Sequence, residues 1–105
     1  MGSTVSVTSI GYSTSGGKDD DKHLDITLAL ADDAGNPVGG AAVSIELSRN
    51  GSPIATGTAA TAGAGTVTFS LKNAASGLYT TEVTNVNAAG LSFDGVTPAN
   101  SFIKN

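Results

Sequence analysis

The sequence predicts an all-β fold, a Greek-key sandwich of about seven antiparallel strands. One reason is the composition, because only 13% of the residues are charged and the chain is rich in the Thr and Gly that strands and tight turns favour. A second reason is that apolar and polar residues alternate with a period of two in several short runs. A third is that turn-forming residues separate these runs at intervals of about ten residues, with no helical periodicity of useful length between them.

The first two strands are predicted close to the N-terminus. The apolar positions of the first are Val5, Val7, Ile10 and Tyr12. Their phase changes between Val7 and Ile10, which predicts a β-bulge or a strand that switches sheets. Residues 13–22 are polar and contain glycine, so they are predicted to form a loop. The alternation is clearest in the second strand, whose apolar positions are Leu24, Ile26, Leu28 and Leu30.

A hairpin is predicted at Asn50-Gly51, because this dipeptide strongly favours a two-residue type I′ turn. The apolar positions of the strand before it are Val43, Ile45 and Leu47. With a two-residue turn, Arg49 lies opposite Ser52 and Leu47 lies opposite Ile54. Leu47 and Ile54 are therefore expected on the same face of the sheet.

Two later runs continue the alternating pattern. Their inward positions are expected to be Val67, Phe69 and Leu71 in one run, and Tyr79, Thr81 and Val83 in the other. The stretch from 88 to 103 is less regular, and the pattern leaves its pairing open. A parallel α/β arrangement is excluded because no segment is suited to a crossover helix.

The length of 105 residues corresponds to a single domain, predicted to span residues 4–105. Met1-Gly2-Ser3 is typical of a start left from cloning, so we expect a longer parent chain. The absence of cysteine excludes disulfides and thiolate chemistry. A net charge of −4 with five basic residues makes nucleic acid a poor partner. No apolar run approaches the ~20 residues that a membrane-spanning helix needs.

Several turn and core positions form a recognisable order along residues 20 to 103. Asp33-Ala34-Gly35-Asn36-Pro37-Val38 follows the second strand, Gly77-Leu78-Tyr79 opens a late strand, and the tail contains Gly90-Leu91-Ser92-Phe93-Asp94. This order resembles bacterial immunoglobulin-like domains of the invasin type. The tail is similar to the C-terminal immunoglobulin-like or fibronectin-like domains of secreted bacterial proteases and other hydrolases. The resemblance implies an immunoglobulin-like sandwich in which the Tyr79 hydroxyl forms a tyrosine corner with nearby backbone.

The same resemblance implies a non-catalytic accessory module of a larger secreted or cell-surface bacterial protein, such as a hydrolase. Such a module acts as a spacer, or docks against a neighbouring domain, a cell surface or a polymeric substrate. One alternative is an adhesin or surface-stalk repeat, and another is a calcium- or glycan-binding module. We expect the isolated domain to be a monomer without cofactor. No enzymatic activity is expected, because the sequence offers no nucleophile–base pair and no nucleophile elbow.

An acidic cluster is the candidate metal site. Its members are Asp19, Asp20, Asp21 and Asp25. Calcium prefers six to eight oxygen ligands, which loop carboxylates can supply. The spacing differs from that of an EF-hand loop, and Lys18 and Lys22 on either side would oppose a cation. The alternative interpretation is a solvated loop.

Four other groups of residues have structural interpretations. Asp32, Asp33 and Asn36 are expected to cap a turn at the opposite end of the sandwich from the acidic cluster, and His23 is expected at the surface.

An isopeptide between Lys22 and Asn85, both in inward phase, would need a buried acid. Glu46 and Glu82, however, both fall in the outward phase. Glycan binding would need exposed aromatic rings, whereas the phases place most of Tyr12, Phe93 and Phe102 inward.

Overall fold

The computed structural model describes residues 4–18, 22–98 and 100–104, which form two four-stranded sheets packed face to face. The strands are β1 (Thr4–Ser15), β2 (His23–Asp32), β3 (Ala42–Arg49), β4 (Ser52–Ala60), β5 (Thr66–Leu71), β6 (Gly77–Asn87), β7 (Ser92–Phe93) and β8 (Phe102–Lys104). Sheet A has the order β5-β2-β1-β7 and sheet B the order β4-β3-β6-β8. The predicted all-β sandwich is confirmed. None of the described residues forms a helix that could cross a membrane.

One strand pair differs from the antiparallel expectation. The short strand β7 runs parallel to the start of β1, with Thr4 opposite Ser92 and Val5 opposite Phe93. After β6 the chain crosses from sheet B to sheet A, so β7 comes alongside β1 in the same direction. The other described strand pairs are antiparallel.

The core lies between the two sheets and consists of the alternating apolar positions of each strand. Sheet A contributes Val5, Val7, Leu24, Ile26, Leu28, Leu30 and Val67, and sheet B contributes Val43, Ile45, Leu47, Tyr79, Val83 and Val86. Burial of such side chains stabilises the fold by about 1.5–3 kcal/mol each. The Tyr79 hydroxyl donates a hydrogen bond of 2.6 Å to the carbonyl of Ala75, as the resemblance implied.

The change of phase in β1 is a bulge, as predicted. Val7 lies opposite Leu30 and Ser9 lies opposite Ala29, so Thr8 is the extra residue. The Thr8 hydroxyl donates a hydrogen bond of 3.1 Å to the carbonyl of Ala29. The bulge allows apolar residues on both sides of it to face the core.

The predicted hairpin turn and the pairing of Arg49 with Ser52 are confirmed, but the predicted register of β4 beyond the turn is wrong. Asn50 and Gly51 both have positive φ, 52° and 84°, as a type I′ turn requires. Leu47, however, lies opposite Ala55 and not Ile54, because a bulge intervenes. Ile54 is consequently 45% exposed.

The bulge in β4 has a physical reason. Without it, Thr56 and Thr58 would lie opposite inward residues of β3, and their hydroxyls would face the core without partners. With it, small residues face inward and the threonines face outward, where the hydroxyl of Thr58 lies 3.0 Å from that of Ser44. The sheet therefore exposes one isoleucine and keeps two hydroxyl groups in water.

The irregular tail pairs with β6 partly through side chains. The amide of Asn100 accepts a hydrogen bond from the Thr81 N–H and donates one to the Thr81 carbonyl, both 2.9 Å long. The Thr97 hydroxyl accepts from the Val83 N–H at 3.0 Å. These side chains take the place of strand backbone until β8 begins at Phe102. This explains why the alternating pattern left the pairing open.

The two ends of the sandwich are called the N-terminal pole and the C-terminal pole. At the N-terminal pole β1 begins, β2 ends and β3 begins; at the C-terminal pole β3 ends, β6 begins and β8 ends. The longest dimension is 48 Å, against 25 and 18 Å across. It corresponds to the strand direction, since the twelve residues of β1 alone span about 40 Å.

Candidate functional site

The structure places only part of the predicted calcium cluster. Asp19, Asp20 and Asp21 lie outside the described residues. Asp25 lies in β2 on the outer side of sheet A, where its carboxylate accepts hydrogen bonds from the hydroxyls of Ser15 (3.1 Å) and Ser70 (2.7 Å). Within the described ranges no three His, Asp or Glu side chains come together in a metal-binding arrangement. The calcium site therefore remains a prediction.

The second acidic group caps a turn, as predicted. One carboxylate oxygen of Asp32 accepts hydrogen bonds from the backbone N–H groups of Ala34 and Asn36, each 2.9 Å long. The bond from Asn36 is the main reason that the pKa of Asp32 lies below its usual value. Asp32 therefore carries its negative charge at neutral pH. This turn lies at the N-terminal pole, away from the loop that precedes β2.

His23 and its polar neighbours do not form a nucleophile–base arrangement. The Nδ1 atom of His23 accepts a hydrogen bond of 3.2 Å from the backbone N–H of Asn73. The Ser15 hydroxyl, on the adjacent strand, donates to Asp25 and not to the imidazole. A catalytic triad needs the histidine between the serine and the acid. Here the histidine joins two loops of the C-terminal pole.

The inward position expected for Asn85 is wrong, because a bulge in β6 shifts the phase. Ser44 lies opposite Asn85 and Ile45 lies opposite Val83, which leaves Thr84 as the extra residue. Asn85 is exposed, as is Lys22. Lys22 precedes β2 at the C-terminal pole, whereas Asn85 pairs near the start of β3. The structure therefore does not bring together the two residues that an isopeptide would join.

The two glutamates follow the sequence prediction. Glu46 and Glu82 lie directly opposite each other in β3 and β6 and are on the outer side of sheet B. Neither carboxyl is buried in the core.

Two aromatic residues, Tyr12 of β1 and Phe102 of β8, are partly buried and pack against each other. The rings of Tyr12 and Phe102 are stacked, with centroids 5.5 Å apart and an interplanar angle of 13°. The Tyr12 hydroxyl lies 2.8 Å from that of Thr81 and also bonds to the side chain of Asn100. Burial raises the pKa of Tyr12 above its usual value. Tyr12 therefore joins the two sheets, in keeping with the inward phase predicted for it.

A groove between β4 and β5 is the feature that the sequence analysis missed. It has a volume of about 110 Å³, and apolar residues of both sheets line it, including Ile26, Leu47 and Phe69. Gly57 lies against the Phe69 ring, and a Cβ added at Gly57 would be crowded because it would lie only 3.1 Å from the Cδ1 atom of Phe69. The signal in the sequence is the row of small residues at the inward positions of β4, namely Ala55, Gly57 and Ala59. Such small side chains leave the space between the two edge strands unfilled.

The positive charges of the chain are concentrated at one end. The five Lys and Arg residues all lie at the C-terminal pole. They are Lys18 and Lys22 beside the β1–β2 loop, Arg49 at the end of β3, Lys72 after β5, and Lys104 at the end of β8. A hydrogen bond of 2.8 Å from the Ala74 N–H to the Lys22 carbonyl joins the loops that carry Lys22 and Lys72.

Three of the described acidic residues lie at the other end. Asp32 and Asp33 follow β2 at the N-terminal pole. Asp94 lies on the other side of β1, because its N–H donates a 3.2 Å hydrogen bond to the carbonyl of Val5, the residue that pairs with Asp32. Asp33 and Asp94 are exposed. Of the other described acids, Asp25 lies near the C-terminal pole, and Glu46 and Glu82 lie between the poles. The net charge of the described residues therefore changes from positive to negative along the long axis.

Comparisons with known proteins leave the family open. No family model matches the chain, and no curated protein and no solved structure matches it either.

Proposed function

We propose that the chain is a non-catalytic accessory module of a larger secreted bacterial protein, such as a hydrolase, and that it acts chiefly as a spacer. We further propose that its topology is that of an immunoglobulin-like Greek key. The strand orders β5-β2-β1-β7 and β4-β3-β6-β8 support this, because the chain changes sheets after β2 and again after β4, as it does in such sandwiches. The resemblance of the turn and tail sequences supports the secreted, accessory role.

The observation that carries the spacer function is the position of the terminal strands. Thr4 begins β1 at the N-terminal pole, and Lys104 ends β8 at the C-terminal pole. A polypeptide continued on both sides would enter at one pole and leave at the other. The module then separates its neighbours by its long axis of 48 Å.

The outer faces of the sheets also suit a spacer. On sheet A the hydroxyls of Thr27 and Thr68 lie 3.1 Å apart, and on sheet B those of Ser44 and Thr58 lie 3.0 Å apart. These hydroxyl pairs satisfy one another across neighbouring strands. The exposed apolar pair Leu78 and Ile103, opposite each other in β6 and β8, is the exception on sheet B. Elsewhere such polar pairs favour solubility and weak contacts with neighbours.

The test is to join one, two and three copies of the chain in series with short linkers and measure their maximum dimension by small-angle X-ray scattering. We expect each added copy to lengthen the particle by close to the 48 Å long axis. A matched series with long Gly/Ser linkers should show a smaller and more variable increment, because such linkers behave as random coils. Copies that fold back side by side, with little increase in length, would contradict the spacer function.

A further inference from the structure

The described side chains of the two poles differ in the sign of their net charge. All five Lys and Arg residues lie at the C-terminal pole together with Asp25, and Asp32, Asp33 and Asp94 lie at the N-terminal pole. At the C-terminal pole the side chains of Lys18, Lys22 and Lys72 are exposed, and at the N-terminal pole those of Asp33 and Asp94 are exposed. The hydrogen bonds to Asp32 hold its carboxyl in the charged form. No Lys or Arg of the chain lies at the N-terminal pole, since all five lie at the other.

The direction of the chain gives this arrangement a consequence. In a series of modules, the C-terminal pole of one copy faces the N-terminal pole of the next. The basic pole is then always next to an acidic pole. Complementary charges of this kind fix orientation and register between partners, even where they add little affinity.

We propose that the partner of each pole is a second copy of this chain, bound head to tail through the charges of the two poles. The proposal rests on the spacer function, and it adds a specific contact that stiffens the junction between consecutive modules. A head-to-tail contact uses two different surfaces, so it propagates along a row and does not close into a dimer. Between separate copies the contact is weak, because exposed ion pairs contribute little each. Covalent linkage raises the effective concentration of one pole at the other, so a weak contact forms between consecutive modules.

Three aspartates next to the basic residues oppose the contact, and their replacement provides a further test of it. Asp19, Asp20 and Asp21, which lie outside the described residues, come between Lys18 and Lys22 in the sequence. Their negative charges reduce the positive potential available to an acidic partner. Replacing all three by Asn is therefore expected to strengthen the head-to-tail association.

The experiment measures the self-association of the single 10.3 kDa chain by sedimentation equilibrium at high protein concentration. We expect a reversible association that weakens by about tenfold between 0.01 M and 1 M salt, as the screening length falls from about 30 Å to about 3 Å. A wild-type chain that stays monomeric at low salt overturns the proposal.

The decisive variant reverses the acidic pole through Asp33→Lys and Asp94→Lys. Each substitution changes the charge by two, so the net charge goes from −4 to zero. Net charge alone would then increase self-association, because the repulsion between copies disappears. The head-to-tail contact predicts the opposite. The association of the variant should fall to the level of the wild-type chain in 1 M salt. Association equal to or stronger than that of the wild type overturns the proposal.

A mixing experiment tests the pairing itself. The second variant reverses the basic pole through Lys18→Glu, Lys22→Glu and Lys72→Glu. Each variant alone is expected to remain monomeric, whereas an equal mixture should associate, because each reversed pole then meets its complement. Glu82→Lys, an exposed site between the poles, is the control and should leave the association within about twofold of the wild type. Thermal melts establish that each variant is folded, and a mixture that stays monomeric overturns the proposal.

The outcome separates this inference from the proposed function. If joined copies are extended but separate copies do not associate, the spacer function stands and the head-to-tail contact falls. If joined copies fold back on one another, the spacer function itself fails, whatever the separate copies do.

Discussion

Replacing Tyr79 by Ala is expected to lower the free energy of unfolding by about 3–5 kcal/mol, the range for large aromatic side chains removed from a core. Tyr79 is fully buried, with an exposure of 0%. It lies at the start of β6 and its hydroxyl reaches the carbonyl of Ala75 in the loop that crosses from sheet A to sheet B. The substitution removes both the packing between the sheets and the bond that holds this loop.

The matched variant Tyr79→Phe separates the two contributions. It keeps the ring and loses only the hydrogen bond, so we expect a loss of about 1 kcal/mol. Urea unfolding followed by circular dichroism gives both values. Equal losses for the two variants would show that the hydroxyl, and not the ring, dominates. A loss below 1 kcal/mol for Tyr79→Ala would place Tyr79 outside the core and contradict the sandwich described above.

The second large effect is expected at Gly65, in the loop between β4 and β5. Its φ of +78° is a conformation that side chains disfavour, and an added Cβ would lie 2.8 Å from the Leu30 carbonyl oxygen and 3.0 Å from the Val38 nitrogen. These two backbone atoms are joined by a hydrogen bond of 3.2 Å from the Val38 N–H to the Leu30 carbonyl, and the Leu30 N–H in turn donates to the Gly65 carbonyl. Gly65→Ala therefore combines backbone strain with overpacking and should cost about 2–5 kcal/mol.

Gly35 offers the control for this substitution. Its φ of +87° is similar, but an added Cβ would meet no atom within 4 Å. Gly35→Ala should therefore show the backbone strain alone, about 1–2 kcal/mol. The difference between the two unfolding free energies measures how closely the loops of the N-terminal pole are packed. If Gly65→Ala proves no more harmful than Gly35→Ala, the close approach of these loops is incorrect.

The sequence predicts the central strands well because their two faces differ strongly. In β2, leucine and isoleucine alternate with polar or small residues, and a shift of one position would expose the whole apolar set. The bulge in β1 could be predicted for the same reason, since two apolar phases are visible on either side of Thr8. The Asn50-Gly51 turn depends on local conformation alone, so it was also predictable.

The register of the edge strand β4 is not predictable from the sequence of that strand. Ile54 is the only large aliphatic residue of that strand, and a simple alternation assigns it to the core. The structure instead places Ala55 and Gly57 inward and Thr56 outward. This choice depends on the competition between one apolar side chain and several hydroxyls, and on the Phe69 ring that lies against Gly57. Contacts between distant strands decide it, and the sequence of β4 does not contain them.

The functional features depend on topology in a similar way. The Lys residues at 18, 22, 72 and 104 are scattered along the sequence and no local motif joins them. They reach the same pole because the strands before or after them end there. The acidic cluster, by contrast, stands out in the sequence as a run, yet the described structure shows only Asp25 with its two serine partners.

The central claim is that the chain enters and leaves the domain at opposite poles. Since the protein contains no cysteine, spin labels introduced through Thr4→Cys and Ile103→Cys report a single distance by double electron–electron resonance. We expect a narrow distribution at about 30 Å or more, because roughly ten strand residues at about 3.3 Å each separate the poles. A distance below about 20 Å would place both ends at the same pole, since neighbouring strands lie about 4.8 Å apart and packed sheets about 10 Å apart. That result would contradict the spacer function.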